Sequence, residues 1–259
     1  MGTLIMKTNE TDGRFFLMDS IKINAGATKM VAHRGLSGIE LENTNASFIA
    51  AGNRSFFGIE TDVHRTADGR FVVIHDDDTA RVSGQDLPVE GTDFETLRAL
   101  PLETADHPAR ADQMIPTLKE YIATCKRYDK VAVLELKNEF TAEDIRKICD
   151  EINDLDYLPQ VIFISFAFVN LVYIRELYPA QPVQFLTSKY ADDLLQILQV
   201  HKFDIDILYT ELTPERIKAF HDHGIRVNCW TCDDKSFAET LAAAGIDFIS
   251  SNILEGATE

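Results

Sequence analysis

From Met30 onward, short apolar runs alternate with longer amphipathic stretches. The runs are Met30–His33, Phe57–Val63, Val131–Leu136, Val161–Phe166, Val183–Leu186, Ile205–Tyr209, Arg226–Trp230 and Asp247–Ser250. They are rich in Val, Ile and Phe, the pattern of strands buried on both faces. The stretches between them predict helices over Thr44–Asn53, Pro116–Tyr128, Thr141–Leu155, Ala167–Tyr178, Ala191–Lys202, Thr213–His223 and Asp233–Ala244. Pro116 is expected in the first turn of its helix, where a missing N–H does no harm. Thr141-Ala142-Glu143-Asp144 has the form of a capping box, and Thr213-Pro214 that of a cap followed by proline. Gly224 and Gly245 sit where helix C-caps belong.

Eight strands each followed by a helix make an α/β fold of the TIM (β/α)8 barrel type, here over residues 30–259, and the length suits one. An open doubly wound sheet is the alternative, but no glycine-rich dinucleotide fingerprint follows the first strand. Two segments fall outside the repeat. Arg70–His75 is an extra apolar run joined to the second strand by Asp68-Gly69, a hairpin turn signal. Residues 76–115 form a long polar excursion, expected as a rim or lid insertion after the second strand. Residues 1–29 read as a short N-terminal arm, a candidate hairpin closing the barrel bottom.

Composition narrows the partners. Apolar and charged fractions of 45% and 26% are ordinary for a globular chain. With 25 Lys+Arg against 42 Asp+Glu, the net charge is -17. Such a chain repels nucleic acid and anionic membrane at long range, so a small molecule is the expected partner. Self-association is left open. No run approaches the ~20 apolar residues of a membrane span, and the first residues lack the pattern of a signal peptide. Cys125 and Cys149 lie in helical patterns and read as inert thiols; Cys229-Trp230-Thr231-Cys232 has C-x-x-C form without a second metal-binding pair. A reducing cytoplasm is the expected compartment.

The chemistry gathers at strand ends. Glu60 and Asp62 are two apart on a strand and so share a face, the interior of a barrel. Glu135 and Lys137 share a face by the same rule. Carboxylates forced together raise each other's pKa unless a cation lies among them. Three such ligands, Glu60, Asp62 and Glu135, with no cysteine favour one hard divalent cation, Mg²⁺ or Ca²⁺. His33 and His75 each close an apolar run and can exchange protons with a substrate. Arg34 and Lys137 can neutralise a phosphate. Phe166 and Trp230 end strands at the same face, where each is either core or pocket wall. Asp76 reads as loop or as support for the site. His64, His107, His201, His221 and His223 read as surface or loop residues. The set equips a barrel for metal-assisted cleavage of a phosphate ester.

These residues stand in the order His33-Arg34-Gly35, Glu42-Asn43-Thr44, Glu60-Thr61-Asp62-Val63, Asp68-Gly69, Val73-Ile74-His75-Asp76, Arg81, Gly84, Ile115-Pro116-Thr117-Leu118, Leu134-Glu135-Leu136-Lys137, Ser165-Phe166 and Trp230-Thr231. In that order and spacing the chain resembles the glycerophosphodiester phosphodiesterase family over roughly residues 30 to 252. The resemblance implies a TIM barrel, a divalent ion on Glu60, Asp62 and Glu135, catalytic His33 and His75, phosphate contacts from Arg34 and Lys137, and support from Glu42 and Asn43. It implies hydrolysis of glycerophosphodiesters to sn-glycerol 3-phosphate and an alcohol. A lysophospholipase D or sphingomyelinase D type activity is the nearest rival, and a non-catalytic phosphate-binding barrel is a different class. The chain departs from the family pattern at Leu41, where proline is usual, near Thr79, where leucine is usual, and at Ser251-Asn252, where Thr-Asp is common.

Overall fold

The computed structural model describes residues 19–257. Its strands are β1 (Ile21–Ile23), β2 (Lys29–Ala32), β3 (Gly58–Arg65), β4 (Phe71–Val73), β5 (Val131–Leu136), β6 (Val161–Ser165), β7 (Val183–Thr187), β8 (Asp204–Leu208), β9 (Val227–Trp230), β10 (Phe248–Ser251) and β11 (Leu254–Gly256). The helices are α1 (Asn45–Gly52), α2 (Ala80–Ser83), α3 (Phe94–Arg98), α4 (Leu118–Tyr128), α5 (Ala142–Asn153), α6 (Phe168–Leu177), α7 (Leu194–His201), α8 (Pro214–Asp222) and α9 (Lys235–Ala243).

Eight parallel strands run in the order β10-β2-β3-β5-β6-β7-β8-β9. The ring is nearly closed: β9 lies against β10, and Cys232 N donates to Ser250 O at 3.0 Å just beyond it. Alternate residues of each strand face inward. Val31, Val133, Ile162, Ile164, Leu186 and Phe248 fill the barrel interior. Ile59, Val63, Leu134, Phe163, Ile205 and their neighbours face the helices and form the larger core. Tyr121, fully buried on α4, donates its hydroxyl to Ile59 O at 2.7 Å and so pins that helix to β3.

All seven expected helices form, each somewhat shorter than its pattern; at α1, α6 and α8 the outermost expected residues are the caps. Thr117 caps α4 by accepting from Glu120 N, and Glu120 bonds back to Thr117 N. Pro116 therefore lies before the cap, not in the first turn as expected. Thr141 accepts from Asp144 N, but the Asp144 carboxylate turns to Thr141 Oγ1 and to Arg65, so only half a capping box is made. Thr213 caps α8 with Pro214 behind it, and Gly224 and Gly245 take positive φ after their helices.

No helix follows β10. Its place is taken by a two-stranded parallel ribbon of β1 and β11, with Ile21 opposite Leu254, set against β2 and α9. The described part of the arm thus pairs with the C-terminal strand instead of forming a hairpin; residues 1–18 lie outside the described residues. Nor is the excursion after β4 merely polar. It folds two short helices over Val82, Val89, Phe94, Leu97, Leu100 and Leu102, which pack on Leu41, Val72, Ile74 and Ile115 as a second small core. His64 is a further correction. It is fully buried on β3, with Nε2 3.4 Å from His75 O, because the excursion covers the end of that strand. Among the described residues no helix is long and apolar enough to cross a membrane, and all four cysteines are buried free thiols.

Glu255 locks the ribbon. Its buried carboxylate accepts from Ser55 N and Oγ at 2.6 Å, from Ser20 Oγ, and pairs with Lys22 at 2.6 Å. Against the desolvation of burial, these partners hold its pKa at about 2. Glu255→Ala should cost about 3 kcal/mol, because several donors lose a buried acceptor at once, and lower Tm by roughly 5–10 °C. The depressed carboxylate contributes stability that is present above its unfolded pKa and lost as pH falls toward 2. Thermal melts between about pH 5 and pH 2 should therefore fall less steeply for the variant than for the parent. Parallel curves would remove Glu255 from that role.

Candidate active site

The site begins with a strained turn. After β2, Arg34 takes φ 55° and Gly35 φ 74°. A side chain at Gly35 would meet the Ser47 backbone at 2.7 Å, so glycine is required there. The turn is held by Arg34 N donating to Glu60 Oε2 (2.8 Å), Gly35 N to Glu60 O (3.2 Å), and Asn43 N to Arg34 O (3.0 Å). Asn43 is itself left-handed, with φ 53°. Its Nδ2 donates to Asp62 Oδ2 at 2.8 Å, while its Oδ1 accepts from Thr61 Oγ1 at 2.7 Å. The unfavourable backbone at both residues is thus spent on aiming the carboxylates.

Glu60 and Asp62 point inward from β3, and Glu135 from the neighbouring β5, where it lies opposite Asp62. All three are buried, with one oxygen from each within 4.8 Å of the others. Asp62 Oδ1 and Glu135 Oε1 accept no hydrogen bond. Lys137 Nζ leans over them, 3.0 Å from Glu135 Oε1 and 3.5 Å from Asp62 Oδ1, without hydrogen-bond geometry to either. Burial and the Asp62 and Glu135 charges push Glu60 well above the usual carboxylate range. Burial and Asp62 push Glu135 to about 7. Asp62, although equally buried, is held at about 2 by Lys137 and Arg34. This is a set of converging oxygens with unspent acceptor capacity, and a hard cation fits it.

The two histidines flank this cluster with unlike partners. His33 Nδ1 lies 2.8 Å from Asn252 Oδ1. Asn252 cannot present its amide nitrogen there, because Nδ2 donates to the Asp233 carboxylate at 2.7 Å. The network therefore assigns the proton to His33 Nδ1 and leaves Nε2 as the acceptor, 3.3 Å from Thr231 Oγ1. Desolvation and the adjacent Arg34 charge depress the His33 pKa to about 4. His75 Nδ1 instead meets a carboxylate, Asp76 Oδ1, at 2.6 Å. Desolvation lowers the His75 pKa too, but Asp62 and Asp76 support its charged form.

An ion-pair chain ties the two histidine turns together. Asp76 Oδ2 accepts from Arg81 Nε at 2.6 Å; Arg81 grips Glu42 through both terminal nitrogens at 2.7 and 2.9 Å; Glu42 pairs with Arg34 at 2.9 Å. Glu42 therefore reaches the site through Arg34, and Asn43 through Asp62.

Across the barrel mouth stand Ile164, Phe166, Leu186, Asp206, Trp230 and Ser250, which with His33, Arg34, Glu60, His75 and Glu135 line a small cavity of about 50 Å³. Phe166 and Trp230 meet edge-on at 5.6 Å. Phe166 is 45% exposed at the opening, and the Trp230 indole N–H is buried without a partner. Asp206 is the residue that sequence reasoning missed. Its signal was present in Asp204-Ile205-Asp206-Ile207, a strand with acidic residues at a period of two.

A model of the glycerophosphoryl diester phosphodiesterase family matches residues 33–254. The chain belongs to that family. A glycerophosphodiester phosphodiesterase of Caldanaerobacter subterraneus is 28% identical over 228 residues, 86% of this chain and 93% of that protein. A phosphodiesterase from Oleispira antarctica, solved in complex with the product sn-glycerol-3-phosphate, superposes with a TM-score of 0.79 at 27% identity, covering 88% of this chain and 94% of that one. A glycerophosphodiester phosphodiesterase from Parabacteroides distasonis gives 0.74 at 26% identity, covering 87% and 93%. Within this phosphodiesterase family the chain carries asparagine beside His33. Asn252→Asp should raise the His33 pKa, since a carboxylate favours the imidazolium. A base works only when unprotonated, so the acid limb of kcat/KM should move to higher pH. The pH–rate profile decides this; an unmoved acid limb would show that residue 252 does not set the state of His33.

Proposed function

We propose that the chain hydrolyses glycerophosphodiesters to sn-glycerol 3-phosphate and an alcohol, with His33 as general base and His75 as general acid around one divalent cation, Mg²⁺ or Ca²⁺, held by Glu60, Asp62 and Glu135. One observation carries the reading: three buried, converging carboxylates, two of them with an oxygen that accepts no hydrogen bond, lie between two histidines whose Nδ1 atoms meet unlike partners, an amide oxygen and a carboxylate. When bound, the cation would neutralise the carboxylates and draw charge from the phosphoryl oxygens.

The chain's own groups do the rest. His33 Nε2 takes the proton of the glycerol 2-hydroxyl as that oxygen attacks phosphorus. The bond from phosphorus to the alcohol oxygen breaks, and His75 gives that oxygen its proton. A cyclic phosphate results. In the second half His75 takes a proton from water, the water oxygen attacks phosphorus, and His33 returns its proton to the 2-oxygen. Arg34 and Lys137 stabilise charge on the phosphoryl oxygens. Phe166 and Trp230 offer the organic groups a wall. Four buried thiols with no disulfide among the described residues support a reducing compartment such as the cytoplasm.

Release of sn-glycerol 3-phosphate from glycerophosphocholine tests this, with and without a chelator. Chelation should abolish turnover and Mg²⁺ or Ca²⁺ restore it. His33→Ala and His75→Ala should each lower kcat by on the order of 10²–10⁴, and the double variant should lose less than the product of the two if they act as a unit. Full activity in chelator, or near-normal turnover in either single variant, would contradict the assignment.

A further inference from the structure

Asp206 is an anomaly in the barrel. It sits on β8, inside, with 1% exposure, and it lines the cavity across from the carboxylate cluster. Its Oδ1 is enclosed and accepts no hydrogen bond. Ile164 and Leu186 beside it are apolar, and no described group donates a hydrogen bond to that oxygen. An unpaired buried polar atom costs about 1–3 kcal/mol, and such groups persist where a ligand completes them. The layer holds a complementary orphan. Trp230, on the adjacent strand and one pleat nearer the mouth, has a buried indole N–H with no acceptor. This acceptor and this donor face the same cavity, apart from the unpaired Arg34 Nε and Glu135 Oε1 of the carboxylate cluster. A hydroxyl group, which both donates and accepts, satisfies the pair together.

We propose that Asp206 and Trp230 form the subsite for the primary hydroxyl of the substrate's glycerol moiety. The inference deepens the reading of the reaction given above and rests on it. There the 2-hydroxyl is committed to His33 and phosphorus, and Arg34 and Lys137 take the phosphate. The primary hydroxyl is the polar group left over, and it must enter a cavity whose remaining wall is Ile164, Phe166, Leu186, Asp206, Trp230 and Ser250. The exposed Phe166 marks the opening through which the variable alcohol projects, so the glycerol end lies inward. Burial and the facing Glu135 raise the Asp206 pKa well above the carboxylate range.

The test compares two ligand pairs that differ only in that hydroxyl. Glycerophosphocholine is set against the phosphocholine diester of propane-1,2-diol, which keeps the attacking hydroxyl. In parallel, binding of sn-glycerol 3-phosphate is set against binding of propane-1,2-diol 1-phosphate by calorimetry on the metal-loaded protein. The parent should prefer the glycerol member of each pair on the order of 10- to 100-fold. Asp206→Leu should reduce that preference to within about threefold of unity, chiefly by weakening the glycerol member. Asp206→Ala gives the same reading if leucine is not accommodated, and Asp206→Asn, which retains an accepting oxygen, should keep most of the preference. An undiminished preference in Asp206→Leu or Asp206→Ala would overturn the subsite and leave the hydrolytic reading standing. A parent that binds sn-glycerol 3-phosphate selectively through Asp206 but turns over neither diester would sustain the subsite and overturn the reading of the reaction.

Discussion

Three buried carboxylates held within 4.8 Å of one another are the constraint around which this molecule is arranged. Glu60 and Asp62 are brought together by the period of two along β3, and Glu135 by the register of β5. Left alone, such a cluster pushes two of its members toward the neutral form, and the directions at Glu60 and Glu135 show this. Asp62 alone is pulled the other way, because Lys137 and Arg34 converge on it. A cation held there would satisfy all three at once and free Lys137 and Arg34 for an anion. The acidic chain thereby makes one local site that attracts phosphate, although its net charge is -17.

The surrounding structure keeps that cluster aimed. The left-handed turns at Arg34 and Asn43, the hairpin that delivers His75, and the excursion's own small core all meet in the chain from Asp76 through Arg81 and Glu42 to Arg34. The excursion therefore braces both histidine turns as well as covering the rim. The two histidines differ through their neighbours: an amide beside His33 holds a neutral tautomer, and a carboxylate beside His75 supports the charged form. That difference is what supports the proposed assignment of base and acid, on which neither histidine's place in the sequence bears.

Much of this was legible before any coordinates. The eight inward runs are recognisable because strands buried on both faces have no polar alternation to disguise them, and the residues at their ends carry the chemistry. What escaped is governed by distant partners. The ribbon that replaces the last helix consists of two three-residue strands at opposite ends of the chain, with Ile21 against Leu254; three residues have no readable period. His64 looked exposed because its burial comes from the excursion folding back over β3. The excursion looked polar because its six apolar positions are spread between two short helices and their turns. Asp206 was passed over because, unlike Glu60 and Asp62, it has no histidine or basic residue on its strand, and its orphaned oxygen is a property of the closed barrel.

Thermal melting of the parent and of Glu135→Gln, each with and without millimolar Mg²⁺ or Ca²⁺, tests the central constraint most directly. If the three carboxylates repel one another until a cation joins them, the ion should raise the parent's Tm in a concentration-dependent way. Glu135→Gln should lose that shift, yet in chelator it should melt at or above the parent, because one of three crowded, buried carboxyls has gone. A parent whose Tm ignores the cation, or a metal-free Glu135→Gln that melts well below it, would contradict the account.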